Sequence, residues 1–217
     1  MRDTTAARHR MVEQQIVRRG VDDAHVLEAM RTVPREAFVP EDVRDYAYED
    51  CALPIEAGQT ISQPYIVAAM IAAADVKPGQ RVLEVGAGSG YAAAVLSRIA
   101  AQVCAVERHA ELADAAAARL ARLGYGNVDL RCGDGAAGWP DAAPFDAIIV
   151  SAGGRSAPPA LKQQLVIGGR LIIPIGVERG RQTLTRITRR DEDRFDQEPL
   201  AAVAFVPLVS TQGWPED

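Results

Sequence analysis

Apolar side chains recur at helical spacing twice near the start of the chain, over residues 8–19 and 22–31, with Met11, Ile16, Val26, Leu27 and Met30 placed to face inward. Asp22 and Asp23 suit the start of the second helix, because a short carboxylate accepts N–H groups that a first helical turn leaves unbonded. Pro34 stops that helix after Arg31-Thr32-Val33, since proline disfavours helical backbone in the residue before it. Between Phe38 and Gly58 the period is lost. Pro40, Pro54 and Gly58 stand among aromatic and acidic residues there, which predicts irregular chain wrapped on a surface. Pro64 then takes a favourable first-turn position for an apolar helix over residues 65–74.

Beyond Lys77-Pro78-Gly79-Gln80 the pattern changes to short apolar runs alternating with helical stretches, as βα units around a mostly parallel sheet require. Strands are expected at residues 81–85, 102–106, 128–132, 147–150, 171–174, 184–188 and 202–206. Helices are expected at 91–100 and at 110–123, the second ending at Gly124. The fold class is therefore α/β: a doubly wound, mostly parallel, Rossmann-like sheet over residues 77–217, joined to an N-terminal helical annex over residues 1–76 in one domain. The mixed charge run Arg189-Arg190-Asp191-Glu192-Asp193-Arg194 reads as an exposed turn.

Composition narrows the class of function. A chain of 217 residues, 48% of them hydrophobic, can bury about 70% of its unfolded surface and needs neither disulfides nor a structural metal. Its net charge of −5 argues against a nucleic-acid partner, whose phosphates call for clustered Lys and Arg. Cys51, Cys104 and Cys132 are odd in number, widely spaced and without a C-x-x-C pair, which suits a reducing cytoplasm. Cys104 and Cys132, within or ending apolar runs, read as small buried hydrophobes. The polar first ten residues, and the lack of any run near about 18 uncharged apolar residues, predict a chain neither exported nor membrane-bound.

The chemistry concentrates at the predicted strand ends. Val82-Leu83-Glu84-Val85 runs into Gly86-Ala87-Gly88-Ser89-Gly90, a glycine turn that opens a helix and lets backbone approach a ligand closely. The spacing is G-x-G-x-G, one residue short of the dinucleotide fingerprint, which favours S-adenosyl-L-methionine over NAD. Glu107 closes the next strand, where a carboxylate can accept from both hydroxyls of a ribose. Gly133-Asp134-Gly135, at the end of the third, is an ordinary turn when taken alone, but an Asp flanked by glycines there can meet an adenine amino group. Three such features on successive strand ends describe one pocket. His9, His25 and His109 lie outside these motifs without metal-ligand spacing, so no metal site is expected. Ahead of the sheet lies Gly58-Gln59-Thr60-Ile61-Ser62-Gln63-Pro64-Tyr65, in which Ser62 is either a cap for the helix at Pro64 or a functional hydroxyl.

At that loop the chain resembles the protein-L-isoaspartate O-methyltransferases. The resemblance takes in Met11-Val12-Glu13-Gln14-Gln15-Ile16, Val33-Pro34-Arg35-Glu36-Ala37-Phe38-Val39-Pro40, the glycine turn, Gly133-Asp134-Gly135, Ala143-Pro144-Phe145-Asp146, Gly168-Gly169-Arg170-Leu171 and Phe205-Val206-Pro207-Leu208. It implies the fold of the S-adenosylmethionine-dependent methyltransferases, with S-adenosyl-L-homocysteine as product. It implies a catalytic serine at Ser62, with Gln59, Thr60, Ile61 and Ser62 lying over the cofactor, and cofactor contacts at Glu84, Gly86, Gly88, Glu107, Asp134 and Gly135. The reaction so implied methylates the free carboxylate of isoaspartyl, and some D-aspartyl, residues in damaged proteins. The ester collapses to a succinimide, and hydrolysis returns part of it to aspartate. A carboxylate acceptor is already anionic at neutral pH, which fits the lack of a placed catalytic histidine.

Departures from the family pattern fall at Tyr65 and Val67, where some members carry histidine, and at Val209-Ser210-Thr211-Gln212-Gly213-Trp214, which matches it only in part. Ser151-Ala152-Gly153-Gly154 reads equally as a groove border and as a plain loop. The expected partners are isoaspartyl proteins and peptides recognised through backbone, with the chain a monomer. The rivals are a nicotinamide oxidoreductase, a silent adenosyl-binding scaffold and a methyltransferase with one dedicated peptide partner.

Overall fold

The computed structural model describes residues 4–178, 180–210 and 214. The annex opens with α1 (Thr5–Met11), continued through a π-helical turn at Val12–Ile16 and a 3₁₀ turn at Val17–Arg19, so the predicted first helix is wound three ways. Met11 and Ile16 are both buried, and their five-residue spacing is that of a π turn. Helix α2 (Ala24–Thr32) starts where predicted. Asp23 is its N-cap, with Oδ1 accepting from the backbone N–H groups of His25 and Val26 at 2.9 and 3.1 Å. The expected irregular stretch contains β1 (Leu53–Pro54), whose antiparallel partner β2 (Thr60–Ile61) lies just beyond it, both too short to show any period. Helix α3 (Pro64–Ala74) follows.

The sheet region runs β3 (Arg81–Val85), α4 (Tyr91–Ser97), β4 (Gln102–Glu107), α5 (Ala110–Arg122), β5 (Val128–Cys132), β6 (Phe145–Val150), α6 (Pro159–Gln163), β7 (Leu165–Glu178), β8 (Arg181–Arg189) and β9 (Phe195–Val203). Seven strands form one sheet in the order β5-β4-β3-β6-β7-β8-β9, with β5 through β7 parallel and β8 and β9 antiparallel. Alternation along the strands explains why both faces are covered. Val82, Val103, Ala105, Ala147, Ile149 and Ile172 join the core shared with the annex, while Leu83, Val85, Val106, Ile148, Val150 and Leu171 join a second core on the opposite face. The chain crosses from β5 back to β6, beside β3, and this reversal is where a doubly wound sheet opens a crevice at its strand ends.

The last strand corrects the sequence reading. It was expected at 202–206, but β9 ends at Val203, and residues 204–206 leave the sheet to run back toward the carboxyl ends of the parallel strands. The reason is that β9 is an edge strand exposing Asp196, Gln197, Glu198 and Pro199, so it lacks the apolar run by which inner strands are recognised. Its pairing follows from the predicted Arg189-to-Arg194 turn, in which Asp191 Oδ1 accepts from the N–H groups of Asp193 and Arg194 at 3.2 and 2.8 Å. Cys104 is buried as expected. Cys132 is exposed, because β5 is the other sheet edge, and its thiol donates to the Arg108 carbonyl at 3.4 Å; Cys51 is exposed too.

Candidate active site

A cavity of about 270 Å³ opens at the carboxyl ends of β3 and β4. The glycine turn forms its floor, with φ of +84° at Gly86, +53° at Gly88 and +86° at Gly90, left-handed backbone that glycine adopts without steric cost. The Gly86 and Ala87 N–H groups both donate to the Val106 carbonyl, at 2.8 and 3.2 Å, which draws the turn against the end of β4. Gly90 is then the N-cap of α4.

Two carboxylates face this turn. Glu107 Oε2 accepts from the Gly88 N–H at 2.8 Å and Oε1 from the His109 N–H at 2.9 Å, so one side chain ties the turn to the start of α5. A carboxylate offers about four acceptor sites, leaving capacity for a further donor on each oxygen. Glu84 is only 1% exposed, and its Oε2 has no hydrogen-bond partner. Burial, and then the neighbouring Glu107 carboxylate, push the Glu84 carboxyl well above the usual carboxylate range, against the Ala93 N–H that favours its charged form. Gly135 completes the floor, where a Cβ would lie 2.4 Å from Val85 Cγ1.

Gln59, Thr60, Ile61 and Ser62 line the other side, so nine of the ten residues expected to surround a cofactor do line one cavity. Asp134 does not. It is exposed, and its Oδ1 instead accepts from the Ala136 N–H at 2.9 Å, capping the 3₁₀ turn after β5. Ser62 is half-buried and is not the helix cap: Gln63 is the N-cap of α3, and no side chain caps it. A second, adjacent cavity of about 390 Å³ shares Thr60, Ser62, Ser151 and Val206 with the first. Ser62 therefore stands in a wall common to both. Arg19, Asp50, Ile66 and Phe205 line the far side of the second cavity, with the Arg19 guanidinium 3.4 Å from the Tyr65 ring centroid and paired to Asp50 at 3.0 Å.

Residues 206–209 also wall the first cavity, with His109 at its rim, and residue chemistry alone did not single these out. Several contacts hold this segment. Arg108 Nη1 donates to the Val209 carbonyl at 2.9 Å. Gly153 donates to the Val206 carbonyl at 2.7 Å and accepts from the Leu208 N–H at 2.8 Å. The buried Gln182 side chain accepts from the Phe205 N–H at 2.9 Å and donates to the Phe205 carbonyl at 3.5 Å. A Cβ at Gly153 would lie 2.8 Å from Gln182 Nε2, so the Gln182 clamp as placed needs glycine there. Gly153→Ala is expected to cost about 1–3 kcal/mol in a thermal melt. Unchanged stability would show that the Gln182 clamp carries no weight. Of the expected tail contacts, Thr211 and Gln212 lie outside the described residues, while Trp214 is buried and donates to the Leu208 carbonyl at 2.8 Å.

Comparison with known proteins gives a consistent result. The family model described as protein-L-isoaspartate(D-aspartate) O-methyltransferase matches residues 6–213. The chain is 62% identical over 211 residues to the protein-L-isoaspartate O-methyltransferase of Methylorubrum extorquens strain PA1, covering 97% of this chain and 92% of the relative. It is 60% identical over 209 residues to protein-L-isoaspartate O-methyltransferase 1 of Rhodopseudomonas palustris strain HaA2, covering 96% and 85%. Among solved structures, one titled protein-L-isoaspartate O-methyltransferase superposes with a TM-score of 0.87 at 32% identity, over 95% of this chain and 67% of that one. A putative protein-L-isoaspartate O-methyltransferase of Plasmodium falciparum, in complex with S-adenosyl-L-homocysteine, superposes with a TM-score of 0.79 at 28% identity, over 92% and 96%.

Proposed function

Because the chain belongs to the protein-L-isoaspartate(D-aspartate) O-methyltransferase family, we propose that it transfers the methyl group of S-adenosylmethionine to the free carboxylate of L-isoaspartyl, and some D-aspartyl, residues in damaged proteins, starting their repair through a succinimide. The observation that carries this reading is the placement of Ser62 in the wall between two cavities, one floored by the glycine turn and carboxylates, the other lined by Arg19, Asp50, Ile66 and Phe205.

The first cavity fits the cofactor. The unpartnered, fully buried Oε2 of Glu84 asks for a cationic donor, and an amino acid moiety carries one. Glu107 has free acceptor capacity for ribose hydroxyls, and the glycine turn allows close approach of backbone. When bound, S-adenosylmethionine supplies an electrophilic methyl on a sulfonium. This chain's residues then have to bring a carboxylate oxygen into line and exclude competing water. In our reading Ser62 does the first by hydrogen bonding to the acceptor carboxylate, and Gln59, Thr60 and Ile61 do the second as a cover over the cofactor. No proton needs to be removed from the acceptor at neutral pH.

The second cavity suits the flanking backbone of a peptide, since damaged sites occur in many sequence contexts. We take residues 1–76 and 77–217 to work as one unit, a cytoplasmic monomer with no nucleic-acid partner; among the described residues no helix is long and apolar enough to cross a membrane. The test is transfer of labelled methyl to paired peptides differing only in isoaspartate or aspartate, read as base-released methanol. Label confined to the isoaspartyl peptide is expected. Comparable labelling of both would overturn the acceptor assignment, and label on neither, despite cofactor binding, would favour a dedicated peptide partner or a silent adenosyl-binding protein.

A further inference from the structure

Arg35 is wholly buried, yet among the described residues no carboxylate pairs with it. Its guanidinium donates instead to three carbonyls: Nε to Ala47 at 2.7 Å, Nη1 to Ser62 at 2.9 Å and Nη2 to Cys51 at 3.4 Å. On its other side it stands 5.1 Å from the ring centroid of Tyr91, the first residue of α4 and part of the first cavity's wall. A buried guanidinium facing neutral acceptors is costly to keep, and burial pulls its pKa below the usual arginine value.

The Ser62 carbonyl shows what this arrangement does. The neighbouring Gln63 carbonyl accepts the first helical bond of α3, from the Val67 N–H at 3.2 Å, so the Ser62 carbonyl sits one residue too early for the helix. It also lies one residue beyond the β1–β2 pair, which ends at Ile61. Arg35 supplies the donor at this gap, where the peptide plane after Ser62 sets the direction of its side chain. The other two carbonyls, of Ala47 and Cys51, belong to one turn of the annex that leads into β1. One planar group therefore fixes that turn and the Ser62 backbone against the residue that begins the cofactor-side helix.

We propose that Arg35 is a positioning residue for the methyl transfer, acting through the backbone of Ser62; the inference rests on the role given to Ser62 above. The experiment is a double-mutant cycle on the full chain, with Arg35→Lys, Ser62→Ala and the double variant, measuring kcat and KM with an isoaspartyl peptide and Kd for S-adenosylhomocysteine. Arg35→Lys is expected to lower kcat by about 10²-fold, as a misplacement of about 1 Å does, with KM nearly unchanged. Its Kd should stay within about threefold, and the same substitution should cost under about threefold in the Ser62→Ala background. Equal losses in both backgrounds would overturn the proposal while leaving the Ser62 role intact. Full turnover by Ser62→Ala alone would instead remove the Ser62 role, and the proposal with it. Should Arg35→Lys fail to bind S-adenosylhomocysteine, Arg35→Gln is the second variant, and failure of both would make Arg35 a folding residue and overturn the proposal.

Discussion

Ser62→Ala is expected to lower kcat for an isoaspartyl peptide by about 10²-fold while leaving the affinity for S-adenosylhomocysteine within about threefold. The asymmetry follows from where the hydroxyl stands. Ser62 is half-buried between two cavities, next to a helix whose cap is Gln63, so removing its oxygen unties no described helix end. The cofactor side keeps the glycine turn, Glu84 and Glu107, and loses only one wall atom. The acceptor carboxylate loses a donor that restricts its approach to the methyl. Steady-state kinetics beside calorimetric titration separates the two effects, and parallel losses of turnover and affinity would show that Ser62 serves the cofactor rather than the acceptor.

Glu84→Gln should move stability and affinity in opposite directions. The unfolded carboxyl ionises near its ordinary value of 4.5, whereas the folded one, buried beside Glu107, holds its proton to higher pH. Between those two values the unfolded chain has released a proton that the native chain retains, so native stability falls as pH rises through that window. The loss is about 1.4 kcal/mol for each pH unit of the window, and it is complete above the folded pKa. Glutamine does not titrate, so the cofactor-free variant should melt higher than the parent at pH 8 by about 3 °C or more. At pH 4 that advantage should vanish. Cofactor affinity should meanwhile drop about 30-fold, the worth of one hydrogen bond to a charged group at about 2 kcal/mol. Melts of both proteins at the two pH values, with titrations of S-adenosylmethionine, give the answer; a variant that melts no higher at pH 8 would show that Glu84 costs the native state nothing.

The parts of this molecule legible in its sequence are those governed by local rules. The Asp23 cap, the stop before Pro34, the glycine turn and the inner strands all follow from short-range backbone chemistry or from apolar runs, and β3 and β5 fall on their predicted residues. The resemblance placed Ser62, and cofactor contacts at strand ends, in one region, and the cavity gathers all of these except Asp134. What stayed hidden depends on long-range pairing. β9 is polar because it is an edge, residues 206–209 are brought to the site by long-range partners such as Gly153, Gln182 and Arg108, and Arg35 looks like any charged residue until its burial is known. Gly153-Gly154 after the fourth parallel strand was the available signal for that approach, since close backbone packing needs the missing side chain.

The polar edge has a consequence for how the sheet meets the chains of other proteins. A bare strand edge presents unpaired N–H and C=O groups, a template for open-ended association with any chain that has unpaired backbone of its own. On β9, Pro199 has no N–H to give, and the register shifts between Leu184 and Thr185 of β8, the latter paired with it. Asp196 and Glu198 are held in ion pairs with Arg190 and Arg186, charges that a docking strand would have to strip of water. The sheet therefore stops at seven strands, with an outer edge that does not invite an eighth.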